Sequence, residues 1–264
     1  MLTNTKTLFV GLLRSFSVDC VCDVGSRDGD QSILFRDVLP EATVLAFEAN
    51  DLNYRRMEAD ARLKAKRIHI FPKAVSDTNG VARFHITDVD YSNPAENRGT
   101  SSLLTSDTVK IKETVEVETC RIDDFLKTRF PTVSRVALWI DVEGAEYSVL
   151  KGMEGIRDKV VALHVETAER PFRPGQKTYA EVTALLREFG FVPAGSNIRR
   201  AIGWGDVVFI REALLETHAA IIRRCKRKAL LGHWLPVDST AVFLKDRFPA
   251  AYRALRKAYL RVGT

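Results

Sequence analysis

Val18-Asp19-Cys20-Val21-Cys22-Asp23-Val24-Gly25-Ser26-Arg27-Asp28-Gly29 is the stretch that decides the fold. Its first part, Val18 to Val24, is a compact apolar run rich in Val and Cys, ended by Gly25. A short apolar run bounded by glycine suits a strand buried on both faces. Gly25 and Gly29 then let the backbone turn tightly and approach a bound group closely. A helix is expected over Asp30 to Leu39, with Ile33, Leu34 and Val38 on one face and Pro40 stopping it.

The same alternation continues outward. Thr43 to Phe47 reads as a second buried strand, Asp51 to Lys64 as a helix and Ile68 to Phe71 as a third strand. Val81 to Ile86 and Thr114 to Cys120 alternate apolar and polar residues, as half-exposed strands do. Between them Tyr91 to Ser102 is a polar loop holding Pro94 and Gly99, and Ile122 to Lys127 is a short helix candidate. Val136 to Ile140 and Val160 to Val165 are further buried strands, separated by a helix at Ala145 to Lys151. Thr178 and Glu181 form a capping box ahead of Tyr179, Val182, Leu185, Leu186 and Phe189, which mark one helical face up to Gly190. Phe191 to Val192 and Val207 to Ile210 close the series without an intervening helix. The expectation is an α/β fold, a doubly wound and mostly parallel seven-stranded sheet with an antiparallel pair at one edge.

The chain has 264 residues, 45% hydrophobic and 28% charged, which excludes a disordered chain, a collagen-like chain and a disulfide-stapled miniprotein. No stretch approaches the roughly 18 apolar residues of a membrane span. Leu8 to Leu13 ends at Arg14 without a small-residue cleavage pattern, so no secretory signal is expected and a cytoplasmic address is. The four cysteines lack metal-ligand or Cys-x-x-Cys spacing and read as small buried apolar residues. Charge is uneven: Arg211 to Thr264 carries 12 Lys/Arg against 4 Asp/Glu, and the other 210 residues carry 28 against 30. Three segments follow: an amphipathic helical lead-in over 1–17 with Leu8, Phe9, Leu12 and Leu13 at helical spacing, a body over 18–211, and a basic helical extension over 212–264.

In open α/β sheets ligands bind beyond the carboxyl ends of the strands. After the first strand, Asp23 beside the glycine turn suits a ligand with an amine and opposes a pyrophosphate; a plain strand-to-helix turn is the alternative. After the second, Glu48 stands about 20 positions beyond the glycine loop, where an acidic residue can accept from both ribose hydroxyls. A helix N-cap role for Asn50 or Asp51 competes there. After the fourth, Asp141, Glu143 and Glu146 put three carboxylates around Gly144. They either complement the following helix or face the reacting groups. After the fifth, His164 and Glu166 fall on the same side of a strand, where His164 is either structural or functional.

Together these residues resemble the FkbM family of methyltransferases, within the Rossmann-like, S-adenosylmethionine-dependent enzymes. The resemblance runs through Asp23 to Gly29, Phe47-Glu48, Ala74-Val75-Ser76-Asp77, Ser101-Ser102-Leu103, Asp123-Asp124-Phe125, Asp141 to Glu146, Val149 to Gly152 and Glu166. Arg27, Ala49 and Trp139 depart from it, standing where the family often has Asn, Pro and Lys. The resemblance implies a class I methyltransferase-like fold and S-adenosyl-L-methionine as cofactor. It places Asp23, Gly25 and Gly29 at the methionine end, Glu48 on the ribose and Asp77 near the adenine, with a turn role for Asp77 as the alternative. It places Asp141 beside the reactive methyl and Glu143 near the acceptor. Ser101 and Ser102 fall in the loop that covers the site, and Glu146 and Glu166 face the substrate.

Methyl transfer needs the acceptor held in line and its proton removed, with Asp141, Glu143 and His164 as base candidates. No dedicated metal site is expected, although Asp141, Glu143 and Glu166 offer oxygen ligands of the kind a divalent cation takes. The expected reaction is O-methylation of a sugar, glycolipid or polyketide-like hydroxyl. A nicotinamide-dependent oxidoreductase and a non-catalytic binding protein are the alternatives. The expected partner is a small-molecule or glycan acceptor. Nucleic acid is not expected, because aromatic residues do not interleave the basic ones. In the extension, Leu214, Leu215, Ile221, Ile222 and Cys225 share a helical face, while Arg223 to Lys228 offer weak peripheral contact with an anionic membrane or a solvated flank.

Overall fold

The computed structural model describes residues 3–88, 99–199 and 201–234. The sheet has seven strands: β1 (Cys20–Val24), β2 (Thr43–Phe47), β3 (His69–Phe71), β7 (Val136–Ile140), β8 (Val160–Ala168), β9 (Phe191–Ser196) and β10 (Trp204–Arg211). Their order is β3-β2-β1-β7-β8-β10-β9, parallel through β8, with β10 antiparallel to both of its neighbours. The mostly parallel seven-stranded sheet and its antiparallel edge are therefore as the alternation predicts. A second sheet of three strands, in the order β4-β6-β5, holds β4 (Ala74–Val75), β5 (Gly80–Thr87) and β6 (Ile111–Cys120). β5 and β6 are the two half-exposed alternating segments.

Both faces of the large sheet are covered, which is why its central strands read as continuous apolar runs. On one face Cys22, Leu138, Ile140 and Leu163 pack against α5 (Ile122–Arg129), α6 (Glu146–Lys151) and α7 (Tyr179–Glu188) through Leu126, Leu150 and Leu186. On the other, Val21, Val44, Ala137 and Val208 pack against α1 (Thr5–Ser15) and α2 (Asp30–Val38). Leu8, Phe9, Leu12 and Leu13 of α1 are fully buried, so the lead-in belongs to the same core as the body. The four cysteines are free and buried. The capping box forms: Thr178 Oγ1 accepts from Glu181 N, and Glu181 Oε2 accepts from Thr178 N.

Two helical readings change. Asp51 to Lys64 is broken into α3 (Asp51–Ala59) and α4 (Ala61–Ala65), because Asp60 adopts extended backbone and its carboxylate caps Arg62 N at 2.7 Å. The extension is likewise broken at His218 into α8 (Leu214–Thr217) and α9 (Ala219–Trp234). α9 lies on α1, where a Cβ at Gly11 would stand 3.1 Å from Cys225 Sγ. Ile222, Cys225 and Ala229 are buried there, while Ile221 is exposed rather than sharing their face. Arg223, Arg224 and Arg227 face outward. Residues 235–264 of the extension, and 89–98 of the polar loop, lie outside the described residues.

Register positions the site. Val24 of β1 is level with Phe47 of β2 and Ile140 of β7, and Ile140 is level with Val165 of β8. The next residue on each strand is Gly25, Glu48, Asp141 and Glu166, and β10 adds Asp206 opposite Glu166. The row closes tightly at its centre. Gly25 has φ +82°, and a Cβ on it would lie 1.8 Å from the Asp141 carbonyl oxygen. Gly25→Ala should therefore cost more than the roughly 1–2 kcal/mol of left-handed backbone alone. A fall in Tm of about 5 °C or more is expected by calorimetry; an unchanged Tm would contradict the close approach.

Candidate active site

The row of strand ends opens into a cavity of about 380 Å³, within the usual range of roughly 300–1,000 Å³ for small-molecule sites. Asp23, Gly25 and Glu48 line one part, and Asp141, Glu143 and Glu166 another. Gly99, Ser101 and Leu103 lie over it from the loop before β6.

Asp23 is buried at the end of β1. Its Oδ2 accepts 2.6 Å hydrogen bonds from the hydroxyls of Ser26 and Ser32, while Oδ1 is buried without a partner among the described residues. Burial raises its pKa to about 6 against the pull of those hydroxyls. Glu48 accepts from Arg27 N and Asn50 N, each at 2.7 Å, yet burial still raises it to about 7. Asn50 takes the N-cap of α3, its Oδ1 accepting from Leu52 N at 3.0 Å, which leaves Glu48 to face the cavity. Arg27 presents its N–H to Glu48 from φ +56°. Asn tolerates this left-handed backbone better than most residues, which accounts for the Asn at the matching position of the family pattern. Gly29 begins α2 at φ +78°, and a Cβ there would meet Leu63 Cδ2 at 2.6 Å.

Asp141 is open to the cavity yet surrounded by protein. Burial, Glu143, Asp206 and Asp23 together raise its pKa to about 7. Glu143, at φ +56°, is likewise raised to about 7, chiefly by burial, with Arg173 opposing the rise. Glu166 is raised well above the carboxylate range by burial and by its acidic neighbours Asp141 and Glu143. One carboxylate oxygen from each of Asp141, Glu143 and Glu166 falls within 4.8 Å of the others. That set can receive protons or hold a hard divalent cation.

Of the other candidates, His164, Glu146, Ser102 and Asp77 do not line the cavity. His164 shares its face with Glu166 but lies one step deeper, stacked on Trp139 at 3.5 Å and edge-on to Phe9 at 5.8 Å. Burial lowers its pKa to about 3, and neither ring nitrogen has a partner among the described residues. Without access to the acceptor, it is a core residue and not the base. The same stack gives Trp139 its place. Glu146 folds back to accept from Gly144 N at 2.9 Å, bracing the turn instead of facing substrate. Ser102 is buried, donating to Val142 O at 3.3 Å and accepting from Leu104 N at 3.0 Å; it fastens the loop and does not line the site. Ser101 does line it, its Oγ accepting from Thr87 N at 3.2 Å. Asp77 stays in its turn, where its carbonyl accepts from Arg121 Nη1 at 2.9 Å, and it does not line the cavity.

Sequence reasoning missed Arg173, Trp204 and Asp206. Arg173 is buried between β8 and α7; its Nη2 donates to Thr100 O at 2.6 Å and lies 3.6 Å from Glu143 Oε2. It thus joins the covering loop to the turn that carries Glu143. Trp204 and Asp206 line the cavity from β10.

The carboxylates make stability depend on pH. Asp23 has a pKa near 6 in the fold, and Glu48, Asp141, Glu143 and Glu146 near 7. Unfolded carboxyls titrate near about 4. Between these values the folded chain binds more protons than the unfolded one, so stability falls as pH rises toward 7. His164, held neutral in the fold, opposes this only below its unfolded pKa of about 6.5. The ligand-free protein should lose Tm from roughly pH 5 to 7, and Asp141→Asn should flatten the fall. A Tm rising over that range would contradict the burial of these charges.

The chain is similar to 2-O-methyltransferase NoeI of Sinorhizobium fredii (strain NBRC 101917 / NGR234), 25% identical over 178 residues, which are 65% of this chain and 72% of that protein. Among solved structures it is similar to magnesium protoporphyrin IX methyltransferase (ChlM) from Synechocystis PCC 6803 with bound SAM, at TM-score 0.44 and 13% identity over 78% of this chain and 79% of that one. It is also similar to the N-terminal domain of EvdMO1 in the presence of SAH and D-fucose, at TM-score 0.43 and 10% identity over 80% and 83%. The model of the methyltransferase FkbM domain matches residues 23–193, well over half the chain. The chain therefore belongs to the FkbM family and is an S-adenosylmethionine-dependent methyltransferase.

Proposed function

We propose that the enzyme methylates a hydroxyl oxygen on a sugar, glycolipid or polyketide-like small molecule, with Asp141 as the base. The observation that carries the reading is the meeting of Asp141, Glu143 and Glu166 within 4.8 Å, in the cavity that Glu48 and Asp23 also line. A group that takes a hydroxyl proton works best with a pKa near the working pH, and burial and like charges bring Asp141 to about 7. The similarity to a 2-O-methyltransferase supports oxygen as the accepting atom.

The residues present fit the cofactor. The partnerless Oδ1 of Asp23, buried among apolar strands, is an acceptor for an amine. Glu48, fixed by two backbone N–H groups, keeps free lone pairs for two ribose hydroxyls. When bound, S-adenosylmethionine would supply a methyl group on a positively charged sulfur, a charge that the acidic lining of the cavity favours. Arg173 orients Glu143 and holds the Thr100–Leu104 segment over the cavity, limiting the entry of water. Asp141 accepts the hydroxyl proton. In a second reading, favoured by the same three oxygens, a divalent cation on Asp141, Glu143 and Glu166 lowers the acceptor's pKa.

Two variants test the assignment. Asp141→Asn keeps size and removes the proton acceptor, so transfer of labelled methyl to a hydroxyl acceptor should fall by about 10²-fold or more while the protein stays folded. Undiminished transfer would overturn the base, and loss of wild-type transfer with EDTA would favour the cation. Glu48→Gln turns one acceptor oxygen into a donor facing a backbone N–H. Since a charged hydrogen bond is worth about 1.5–3 kcal/mol, S-adenosylhomocysteine affinity should drop at least about tenfold by calorimetry. An unchanged Kd would contradict the ribose role.

A further inference from the structure

Trp204 is 46% exposed, the only aromatic among the exposed large apolar side chains of the described residues. It lines the cavity and opens β10. Alternation puts Trp204 and Asp206 on one face of that strand, and Asp206 stands opposite Glu166 of β8. An indole, two carboxylates and the Asp141–Glu143 turn therefore share one end of the cavity.

The indole is carried on a stiff support. A Cβ at Gly205 would lie 2.6 Å from Asn197 Oδ1 and 2.8 Å from Ile198 Cα, so the chain at Asn197 and Ile198 packs directly on the strand beside the indole. Asn197 is held in turn: its Oδ1 accepts from Asp206 N at 2.6 Å, and its Nδ2 donates to Asp206 Oδ2 at 2.8 Å. Those bonds fix the Asp206 carboxylate and leave its other oxygen for a ligand. No hydrogen bond engages the Glu166 carboxylate among the described residues.

An exposed ring beside convergent carboxylates selects among the acceptor classes. A polyketide-like ring would need apolar walls on several sides. A pyranose has one C–H face, which an indole covers, and a rim of hydroxyls, which donate to carboxylate oxygens. We propose that Trp204, Asp206 and Glu166 form the acceptor subsite and that the acceptor is a pyranose unit, its C–H face on Trp204 and its hydroxyls on Asp206 and Glu166. The inference rests on the hydroxyl-methylating reading and narrows it to one class.

The test is saturation-transfer NMR and titration of a panel of methyl glycopyranosides (gluco, galacto, manno and fuco) into the full chain saturated with S-adenosylhomocysteine. Cyclohexanol serves as an apolar control of similar ring size. At least one glycoside should bind, with saturation strongest at the ring C–H protons, and cyclohexanol should bind more weakly. Trp204→Leu, which keeps apolar bulk and removes the ring face, should weaken that glycoside at least tenfold; Trp204→Phe should restore part of the loss. S-adenosylhomocysteine affinity within twofold of wild type shows that the variants are folded. A glycoside that binds Trp204→Leu as tightly as wild type would overturn the platform while leaving a sugar acceptor standing. Binding of no glycoside by a protein that still binds S-adenosylhomocysteine would overturn the pyranose assignment and leave the methyltransferase standing.

Discussion

The register between parallel strands is the constraint on which the site depends. Because Val24, Phe47 and Ile140 are level, the chain leaves β1, β2 and β7 on one line, and Val165 of β8 stands level with it. Backbone hydrogen bonding thereby brings Glu48, Asp141 and Glu166, distant in sequence, to the rim of one cavity. A slip of one residue on any strand would send its carboxylate to the other face. Gly25 seals the centre of this line, since the Asp141 carbonyl occupies the space a side chain would need. The glycine loop is thus a packing requirement in its own right.

The second feature is stored electrostatic cost. Burying several carboxylates together is unfavourable unless each is hydrogen-bonded or the cluster meets a cation. The fold supplies part of the compensation through Ser26 and Ser32 on Asp23, two backbone N–H groups on Glu48 and Arg173 near Glu143. The Asp23 Oδ1 has no such partner among the described residues, and Glu166 is surrounded by other acidic groups. A cofactor carrying an amine and a positively charged sulfur answers this deficit better than a pyrophosphate would.

Much of the sheet was legible because β1, β2, β7 and the first part of β8 are short apolar runs followed by a glycine or carboxylate, and those endings mark the site. Local pattern failed where depth or a distant partner decided the outcome. Alternation fixed the face of His164 but not its depth, and Phe9 of α1 and Trp139 of β7 close over it. Glu146 reads like its neighbours, yet two residues beyond Gly144 the chain has turned far enough for it to brace that turn. Trp204 and Asp206 were cut off because the apolar core of β10 begins only at Val207, three residues after the strand itself starts. Arg173 stands in an irregular connection, and only tertiary contact with Thr100, Leu104 and Glu143 gives it a task.

The central claim is that the strand-end row reads the cofactor, Asp23 at the amine and Glu48 at the ribose. A crystal structure of the complex with S-adenosylhomocysteine tests it most directly. The account predicts both ribose hydroxyls within hydrogen-bond distance of the Glu48 carboxylate, the amine on Asp23 Oδ1 and the sulfur facing Asp141. A ligand seated with Glu48 still bound only to Arg27 N and Asn50 N, or with its amine away from Asp23, would contradict it.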